Sequence, residues 1–279
     1  MGSLTVVTEA YVVRLEVHDK HGEALCKVGY GESLRTIAAK CVVLTASPIE
    51  SARLVLASAF PSLKAKPVGK YLAEHIFVRG NGRMRVQSSG PQDRFVNIVV
   101  PPRAAAQGNN EYRYHVHILG APDPTEPGLV NLRFTGEAAM DPQETNYVAL
   151  DESVKDEHGV PRARIHLGYS RLDEARELSL NNFIRFVIVP KLDAKLDGDL
   201  QRLGKGRSHH ECGTLRMMDV TDESGCLHGV PRVFVSDASV FRCVGVANPM
   251  LTVTAWAYRV ADKIIENSDT LGFGDSRAH

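Results

Sequence analysis

The sequence predicts a mixed α/β (α+β) fold, in which both ends of the chain contribute to one unit and the middle forms an antiparallel sheet. The run Cys41-Val-Val-Leu44 is continuously apolar, as in a buried strand, and a helix start follows it at once. Val233-Phe-Val235 repeats the buried-strand signal near the other end, and many short alternating stretches lie between the two. With 279 residues, of which 43% are hydrophobic, the chain can bury a sizeable core.

The first thirty residues predict strands. Residues 4–8 form one apolar stretch, and residues 11–17 form another with alternation in Val13-Arg-Leu-Glu-Val17. Residues 19–22, Asp-Lys-His-Gly, are typical of a turn. This arrangement predicts a β-meander.

The segment Ser47-Pro48-Ile49-Glu50 predicts the start of a helix over residues 49–58. Ser47 is expected to cap the helix, Pro48 suits the first helical position, and Glu50 stands three residues after the cap. Ser47 and Glu50 would then satisfy each other's free backbone amides.

From about residue 76 to residue 167 the chain alternates between short half-apolar stretches and turn-rich pieces. This pattern is typical of an antiparallel sheet with one solvated face. His75, His115 and His117 are expected to be ordinary sheet or loop residues.

Two helices are predicted in the second half. Apolar positions near helical spacing indicate a long amphipathic helix over residues 170–188, and Asn248-Pro249 indicates the start of a last helix over residues 250–266. Trp256 and Tyr258 in that helix are expected to fill core.

The charge balance and the cysteines limit the function classes. Lys plus Arg equals Asp plus Glu at 33 each, so a nucleic-acid partner is not expected. No run approaches the roughly 18 apolar residues of a membrane span, and the first residues lack a charged leader with an apolar core. The five cysteines are odd in number and scattered, so a framework of disulfide bonds is not expected. This favours a reducing, cytoplasmic compartment.

Two segments, residues 209–217 and 235–250, combine polar groups with small and apolar residues. Together with two earlier stretches they resemble the glucose-methanol-choline (GMC) oxidoreductases, which are flavoenzymes that oxidise alcohols and sugars. The motifs that carry the resemblance stand in the family's order: Val43-Leu-Thr-Ala-Ser-Pro-Ile-Glu-Ser-Ala-Arg-Leu54, Val68-Gly-Lys-Tyr-Leu-Ala-Glu-His75, His210-Glu-Cys-Gly-Thr214, Val235-Ser-Asp-Ala-Ser239 and Asn248-Pro249.

The resemblance implies FAD as cofactor and a sugar or other alcohol as substrate. His210 would take the hydroxyl proton while hydride leaves for flavin N5, since the pKa of an imidazole lies near neutrality. Asn248 would bond the same oxygen. Pro249 would fix the start of the last helix, and the amide of Met250 would face the N1 and O2 edge of the flavin.

The same resemblance implies further cofactor contacts and a domain division. The backbone amides of Asp237 and Ala238 would face the pyrophosphate and ribityl region, and Val12 would meet the adenine. Residues 1–70 and 202–279 would complete the FAD-binding domain, and residues 71–201 would form the substrate-binding domain.

The sequence departs from the family at its beginning. No Gly-x-Gly-x-x-Gly turn after a strand is found, so about two hundred residues expected of the family are missing here. A second polypeptide or fragment carrying that amino-terminal half is therefore an expected partner. Ser47 and Met218 also replace glycines of the family pattern.

Two other readings remain open. The chain could be a non-catalytic subunit or binding module that stabilises a partner, or it could be a zinc-dependent hydrolase. The zinc reading would use His209, His210, Glu211, Cys212, Cys226 and His228. The spacings of common zinc motifs are missing among them, so no metal is predicted.

Overall fold

The computed structural model describes residues 4–18, 23–30, 33–86, 96–100 and 114–273. The predicted β-meander is confirmed: β1 (Ala10–His18), β2 (Glu23–Tyr30) and β3 (Ser33–Ala39) form an antiparallel sheet in that order. The predicted strand at residues 4–8 is wrong, because no described strand pairs with this segment and Leu4 and Val6 stay exposed. The turn predicted at residues 19–22 lies outside the described residues.

A short parallel pair joins the two ends of the chain. β4 (Val42–Leu44) runs beside β13 (Val233–Val235), with Val42 opposite Val233. β13 is fully buried, as predicted. The prediction that residues 41–44 are buried on both faces is wrong for Val43, which is 41% exposed because the described sheet has only these two strands.

Helix α1 (Ser47–Ser58) follows β4, but the predicted capping box does not form. Ala46 is the N-cap residue, no side chain caps the helix, and Ser47 lies inside it with a φ of 77°. Glu50 instead accepts hydrogen bonds from Arg53 and Tyr11. The left-handed backbone at Ser47 explains the failure, since it turns the residue out of capping geometry.

The middle of the chain forms a six-stranded antiparallel sheet, as predicted. Its order is β11-β5-β8-β7-β6, and β12 also pairs with β5. Its strands are β5 (His75–Arg85), β6 (Val96–Val100), β7 (Tyr114–Pro122), β8 (Leu129–Ala139), β11 (Ala194–Leu196) and β12 (Gln201–Arg202). β9 (Tyr147–Lys155) and β10 (Pro161–His166) make a separate antiparallel hairpin, which lies against α1.

The predicted long helix covers one face of this sheet. α2 (Arg171–Phe183) starts with a capping box between Ser170 and Asp173, and it continues through a π-helical turn (Ile184–Ile188) into α3 (Val189–Lys191). Leu180 packs on Gly136 of β8, where an added Cβ would lie 2.8 Å from the Leu180 side chain.

The last helix is also confirmed, as α4 (Met250–Glu266), and the short helix α5 (Ser268–Leu271) follows it. Trp256 is buried and donates to the Val235 carbonyl over 3.0 Å. Tyr258 is 72% exposed, so its predicted place in the core is wrong, because it lies on the face of α4 that no described residue covers. No helix among the described residues is both long and apolar enough to cross a membrane.

The buried apolar side chains form two main clusters. One joins the ends of the chain and includes Leu44, Val55, Leu215, Val233 and Trp256. The other lies between the six-stranded sheet and α2 and includes Ile76, Phe134, Leu180 and Ile184. Val148 of the β9–β10 hairpin packs with the first cluster, so the hairpin joins the ends of the chain rather than the sheet. The predicted domain bounds at residues 70 and 202 stay a prediction.

Candidate functional site

The segment around His210 is fixed to the start of β5 by backbone pairing. Ala73 and Cys212 exchange both hydrogen bonds, of 3.1 and 2.8 Å. Gly213 follows with a φ of 96°, and an added Cβ there would lie 2.3 Å from the Tyr71 carbonyl oxygen. Glycine is therefore required at this position for the two segments to approach each other. This approach brings His210 beside His75, the first residue of β5.

A buried carboxylate holds the loop that leads into His210. Glu74 accepts hydrogen bonds from the Gly206 amide at 2.9 Å and from the Ser208 hydroxyl at 2.8 Å. The Ser208 hydroxyl oxygen in turn accepts from the His210 amide at 3.1 Å. Burial raises the pKa of Glu74, while these donors lower it. The backbone of His210 is therefore positioned by a chain of charge-assisted hydrogen bonds.

Three histidines surround one glutamate at the site. Nδ1 of His75 lies 2.8 Å from Nδ1 of His210, and Nε2 of His210 lies 3.4 Å from Nδ2 of Asn248. Oε2 of Glu137 lies 3.8 Å from a ring nitrogen of His75, 3.8 Å from one of His115 and 3.9 Å from one of His210. The structure thus brings together His210 and Asn248, which the sequence singled out, and adds three residues.

The added residues come from three neighbouring strands. Glu137 on β8 is in register with Phe77 of β5 on one side and with His115 of β7 on the other. His75 and His115 are sheet residues as expected, but they also face the site. Glu137 was missed, although its sequence setting, Phe134-Thr-Gly-Glu-Ala-Ala-Met140, places one acid in a strand of mostly apolar or small residues. Such an acid is a signal for a buried carboxylate.

Burial favours the neutral form of each of these groups, so it lowers the pKa of the histidines and raises the pKa of the glutamate. It lowers the pKa of His75 to about 3, helped by His210 and His115. It also lowers the pKa of His210, with further lowering by His209 and His115, and it raises the pKa of Glu137 from 4.5 to about 7. Near neutral pH the imidazole of His210 is therefore uncharged and can accept a proton.

A cavity of about 440 Å³ opens beside Asn248. Met217, the run from Val240 to Pro249, and Thr252 line it. Pro249 stands at the N-cap of α4 and Met250 is the first helical residue, 65% exposed. The first amides of α4 have no partner within the helix, so this end of the cavity is suited to negative charge.

Asp237 and Ala238 lie between β13 and the cavity-lining segment. The buried carboxylate of Asp237 accepts hydrogen bonds from the Ser51 hydroxyl at 2.5 Å, from the Ser239 amide at 2.9 Å and from the Ser239 hydroxyl. It therefore ties α1 to the turn after β13, and the Ala238 carbonyl accepts from the Gly213 amide. Val12 lies on β1 and packs against the cluster that joins the ends of the chain.

The zinc set considered from the sequence does not assemble. Cys212 is fully buried beside Ala73, and the Cys226 thiol contacts the Leu227 and Val230 carbonyls. Among the described residues, the side chains whose ligand atoms lie close enough together for a metal ion, within 4.8 Å, are His75, Glu137 and His210. The prediction of no metal stays a prediction.

Comparison with known proteins gives matches over most of the chain. Residues 142–257 match the model of the carboxyl-terminal domain of the GMC oxidoreductases. A C-glycoside 3-oxidase of Arthrobacter globiformis is 33% identical over 159 residues, which is 53% of this chain and 29% of that protein. A C-glycoside 3-oxidase of Microbacterium trichothecenolyticum is 25% identical over 295 aligned residues, which is 95% of this chain and 54% of that protein.

The fold is also found among solved structures. The crystal structure of pyridoxine 4-oxidase from Mesorbium loti superposes with a TM-score of 0.57 at 17% identity, over 92% of this chain and 57% of that one. At this identity the likeness concerns the fold alone. The chain spans about half the length of the longer-matching relative and of this structure.

Proposed function

We propose that this chain, in which residues 142–257 match the GMC oxidoreductase model, supplies the catalytic part of an FAD-dependent oxidoreductase of the GMC family. The reaction would oxidise a CH–OH group of a sugar or other alcohol. The observation that carries the proposal is the pairing of His210 with Asn248 at the edge of the cavity in front of α4.

His210 is proposed as the base. Its Nε2 is the ring nitrogen that faces Asn248, and burial keeps the imidazole neutral near pH 7 by lowering its pKa. A substrate hydroxyl placed between the two side chains would lose its proton to Nε2. Nδ2 of Asn248 would donate to the same oxygen and stabilise the charge that develops there.

The N-terminus of α4 beside the cavity supports the proposal of FAD as cofactor, since it suits a group that becomes negatively charged. When bound, FAD supplies the acceptor for the hydride that leaves the substrate carbon. Pro249 lines the cavity and is the N-cap residue of α4. We assign the Met250 amide and the helix dipole to the N1 and O2 edge of the flavin, where they would stabilise negative charge. We assign the backbone amides of Asp237 and Ala238 to the pyrophosphate and ribityl region, and Val12 to the adenine.

Two of the relatives favour a sugar as the substrate. Both of the C-glycoside 3-oxidases are named for oxidation of a glycoside, and they match this chain over 53% and 95% of its length. A sugar ring offers a secondary hydroxyl, and the base and the amide of this site would address one such group.

A second protein segment is proposed to cover the exposed face of α4. Leu251, Tyr258 and Ile265 recur at intervals of seven residues, so they lie on one face, and they are 84%, 72% and 57% exposed. Exposed apolar stripes of this kind mark contact surfaces. We propose that an FAD-binding protein segment, of the kind that the resemblance to the GMC oxidoreductases implies, packs here.

Native mass spectrometry together with flavin spectroscopy tests this function. The natively isolated protein should carry FAD, and anaerobic mixing with a panel of glycosides and simple alcohols should bleach the flavin absorbance. His210→Ala should slow that reduction about a hundredfold or more, as expected for loss of a general base. The control is His209→Asn, because His209 is the exposed neighbour with a φ of 56°, a backbone that Asn tolerates.

The outcomes separate the candidate functions. Equal reduction rates in the wild type and in His210→Ala would remove His210 from its role. A protein that binds its partner but neither binds flavin nor bleaches it with any alcohol would instead be the non-catalytic module.

A further inference from the structure

The buried carboxylate of Glu137 destabilises the folded protein, and packing alone does not explain its presence. Its side chain is 5% exposed, and its Oε2 has no hydrogen-bond partner among the described residues. A buried carboxylate oxygen left unpaired destabilises a protein, so it is rarely kept without a use. The same oxygen lies within 4 Å of ring nitrogens of three histidines, one of which is the proposed base.

The hydrogen bonds around His210 define where its proton resides. An amide Nδ2 only donates, so with Nδ2 of Asn248 facing it, Nε2 of His210 is the acceptor. The neutral imidazole of His210 then carries its proton on Nδ1. Nδ1 of His210 donates that proton over 2.8 Å to Nδ1 of His75. Nδ1 of His75 is therefore the acceptor and carries no proton.

We propose that His75 and Glu137 are positioning residues behind His210: His75 fixes the tautomer that leaves Nε2 free, and Glu137 stabilises the imidazolium formed during the reaction. The inference rests on the proposed role of His210 as base. In the step concerned, the substrate O–H bond breaks, an N–H bond forms at Nε2, and the Nδ1 proton stays in place. The hydride leaves with its electron pair for the flavin that the proposed function assigns.

The surroundings of Glu137 support this assignment. Titratable groups face Glu137 from each element that packs against it. They are His75 on β5, His115 on β7 and His210 in its loop. His117 lies near His115, and His209 lies near His210. On the other face of β8, Gly136 lies under α2, so the Asp173–Arg176 pair of that helix is across the sheet. Glu137 is therefore the acid that meets the imidazole cluster.

Histidine NMR on the full chain tests the proposal without flavin or substrate. In protein labelled with ¹⁵N at histidine, long-range spectra report the tautomer and the protonation midpoint of each ring. The neutral ring of His210 should carry its proton on Nδ1 in the wild type. In Glu137→Gln, an isosteric change, the midpoint of His210 should fall by about one pH unit, because Glu137, with a pKa of about 7, is ionised only in part where His210 titrates.

The control is Glu126→Gln, which removes a 48% exposed carboxylate in the β7–β8 turn. A wild-type His210 protonated on Nε2 would overturn the proposal, and so would a midpoint in Glu137→Gln that moves no further than in the control. A metal ion bound by the cluster in purified protein would overturn it as well.

Catalytic relevance needs a second readout, the pH profile of flavin reduction in the flavin-loaded protein. Its acidic limb should move to lower pH in Glu137→Gln, by the same amount as the NMR midpoint. A limb that stays in place while the midpoint moves would refute the part of Glu137 in the reaction. Failure of the proposed function would look different, because His210→Ala would then leave reduction unchanged while the tautomer and midpoint results stood.

Discussion

Glu137→Gln should make the folded protein more stable at alkaline pH. Burial raises the pKa of Glu137 from 4.5 to about 7, so the folded chain holds this proton more tightly than the unfolded chain. The stabilisation is fully present below pH 4.5 and is lost as the pH rises through 7. At 1.36 kcal/mol per pH unit, the full shift corresponds to about 3 kcal/mol, of which about 2–3 kcal/mol falls between pH 5 and pH 8. Glutamine stays neutral and does not suffer this loss.

Urea unfolding of the wild type and the variant at pH 5 and pH 8 measures the effect. The difference in unfolding free energy should shift by about 2–3 kcal/mol in favour of the variant between the two pH values. The lowered pKa values of His75 and His115 act in both proteins and largely cancel in this difference. A further fall in the pKa of His210 in the variant would destabilise the variant at pH 5 but not at pH 8, so it adds to the same shift. Glu126→Gln gives the baseline for removing one exposed carboxylate. A difference for Glu137→Gln that is the same at both pH values would refute the reasoning.

Three further predictions concern the backbone and core that support the site. Met218→Gly should raise the unfolding free energy by about 0.5–1 kcal/mol in urea titrations. Met218 is 63% exposed, so little packing is lost, and its φ of 70° is one that glycine adopts without strain. A lower unfolding free energy in the variant would contradict this. Gly213→Ala should lower the unfolding free energy by about 2 kcal/mol or more. The control Gly206→Ala should lower it less in the same assay, because Gly206 also has a positive φ, of 73°, but no atom lies within 4 Å of the added Cβ. Equal losses would exclude the clash with Tyr71 as the cause. Trp256→Phe should cost about 1–3 kcal/mol by leaving the Val235 carbonyl without its buried donor, and thermal unfolding of Tyr258→Phe, at an exposed position, should show much less change.

The parts of the fold that sequence reasoning predicted are those set by local patterns. The meander, the buried strand β13, and the helices α2 and α4 follow from alternation, helical periodicity and helix-start residues within a few positions. The errors at residues 4–8, Val43 and Tyr258 share one cause. Each is apolar and was expected to be covered, but burial depends on which segment lies opposite, and no local pattern specifies that.

The capping box at Ser47 failed for a different reason. The residue types were suitable, but the chain turns into α1 with a left-handed Ser47, where the family pattern has a glycine. Met218, the other position at which a family glycine is replaced, also has a positive φ. Both departures noted in the sequence therefore mark real backbone requirements, and the replacements tolerate them at a cost.

The site itself was predictable only in part. His210 and Asn248 stand in motifs that a reader of the sequence can recognise, and the structure places them together. His75, Glu137 and His115 stand on strands whose neighbours are set by sheet order. Their convergence on His210 therefore depends on contacts between residues up to 135 positions apart. The chemistry of the base could be inferred from the sequence, but the groups that tune it could not.

The parallel pairing of β4 with β13 has a consequence for how the chain folds. The two strands are about 190 residues apart, so closing this loop in an unfolded chain is among the most costly contacts in entropy. The antiparallel sheet in between pairs strands that lie closer together in the sequence than β4 and β13, and it has its own core, which favours its formation first. On the ribosome, β4 would be made long before β13 and would wait unpaired. We therefore expect the slowest folding step to be the joining of β4 and β13, which also brings the residues after β13, Asn248 among them, toward His210.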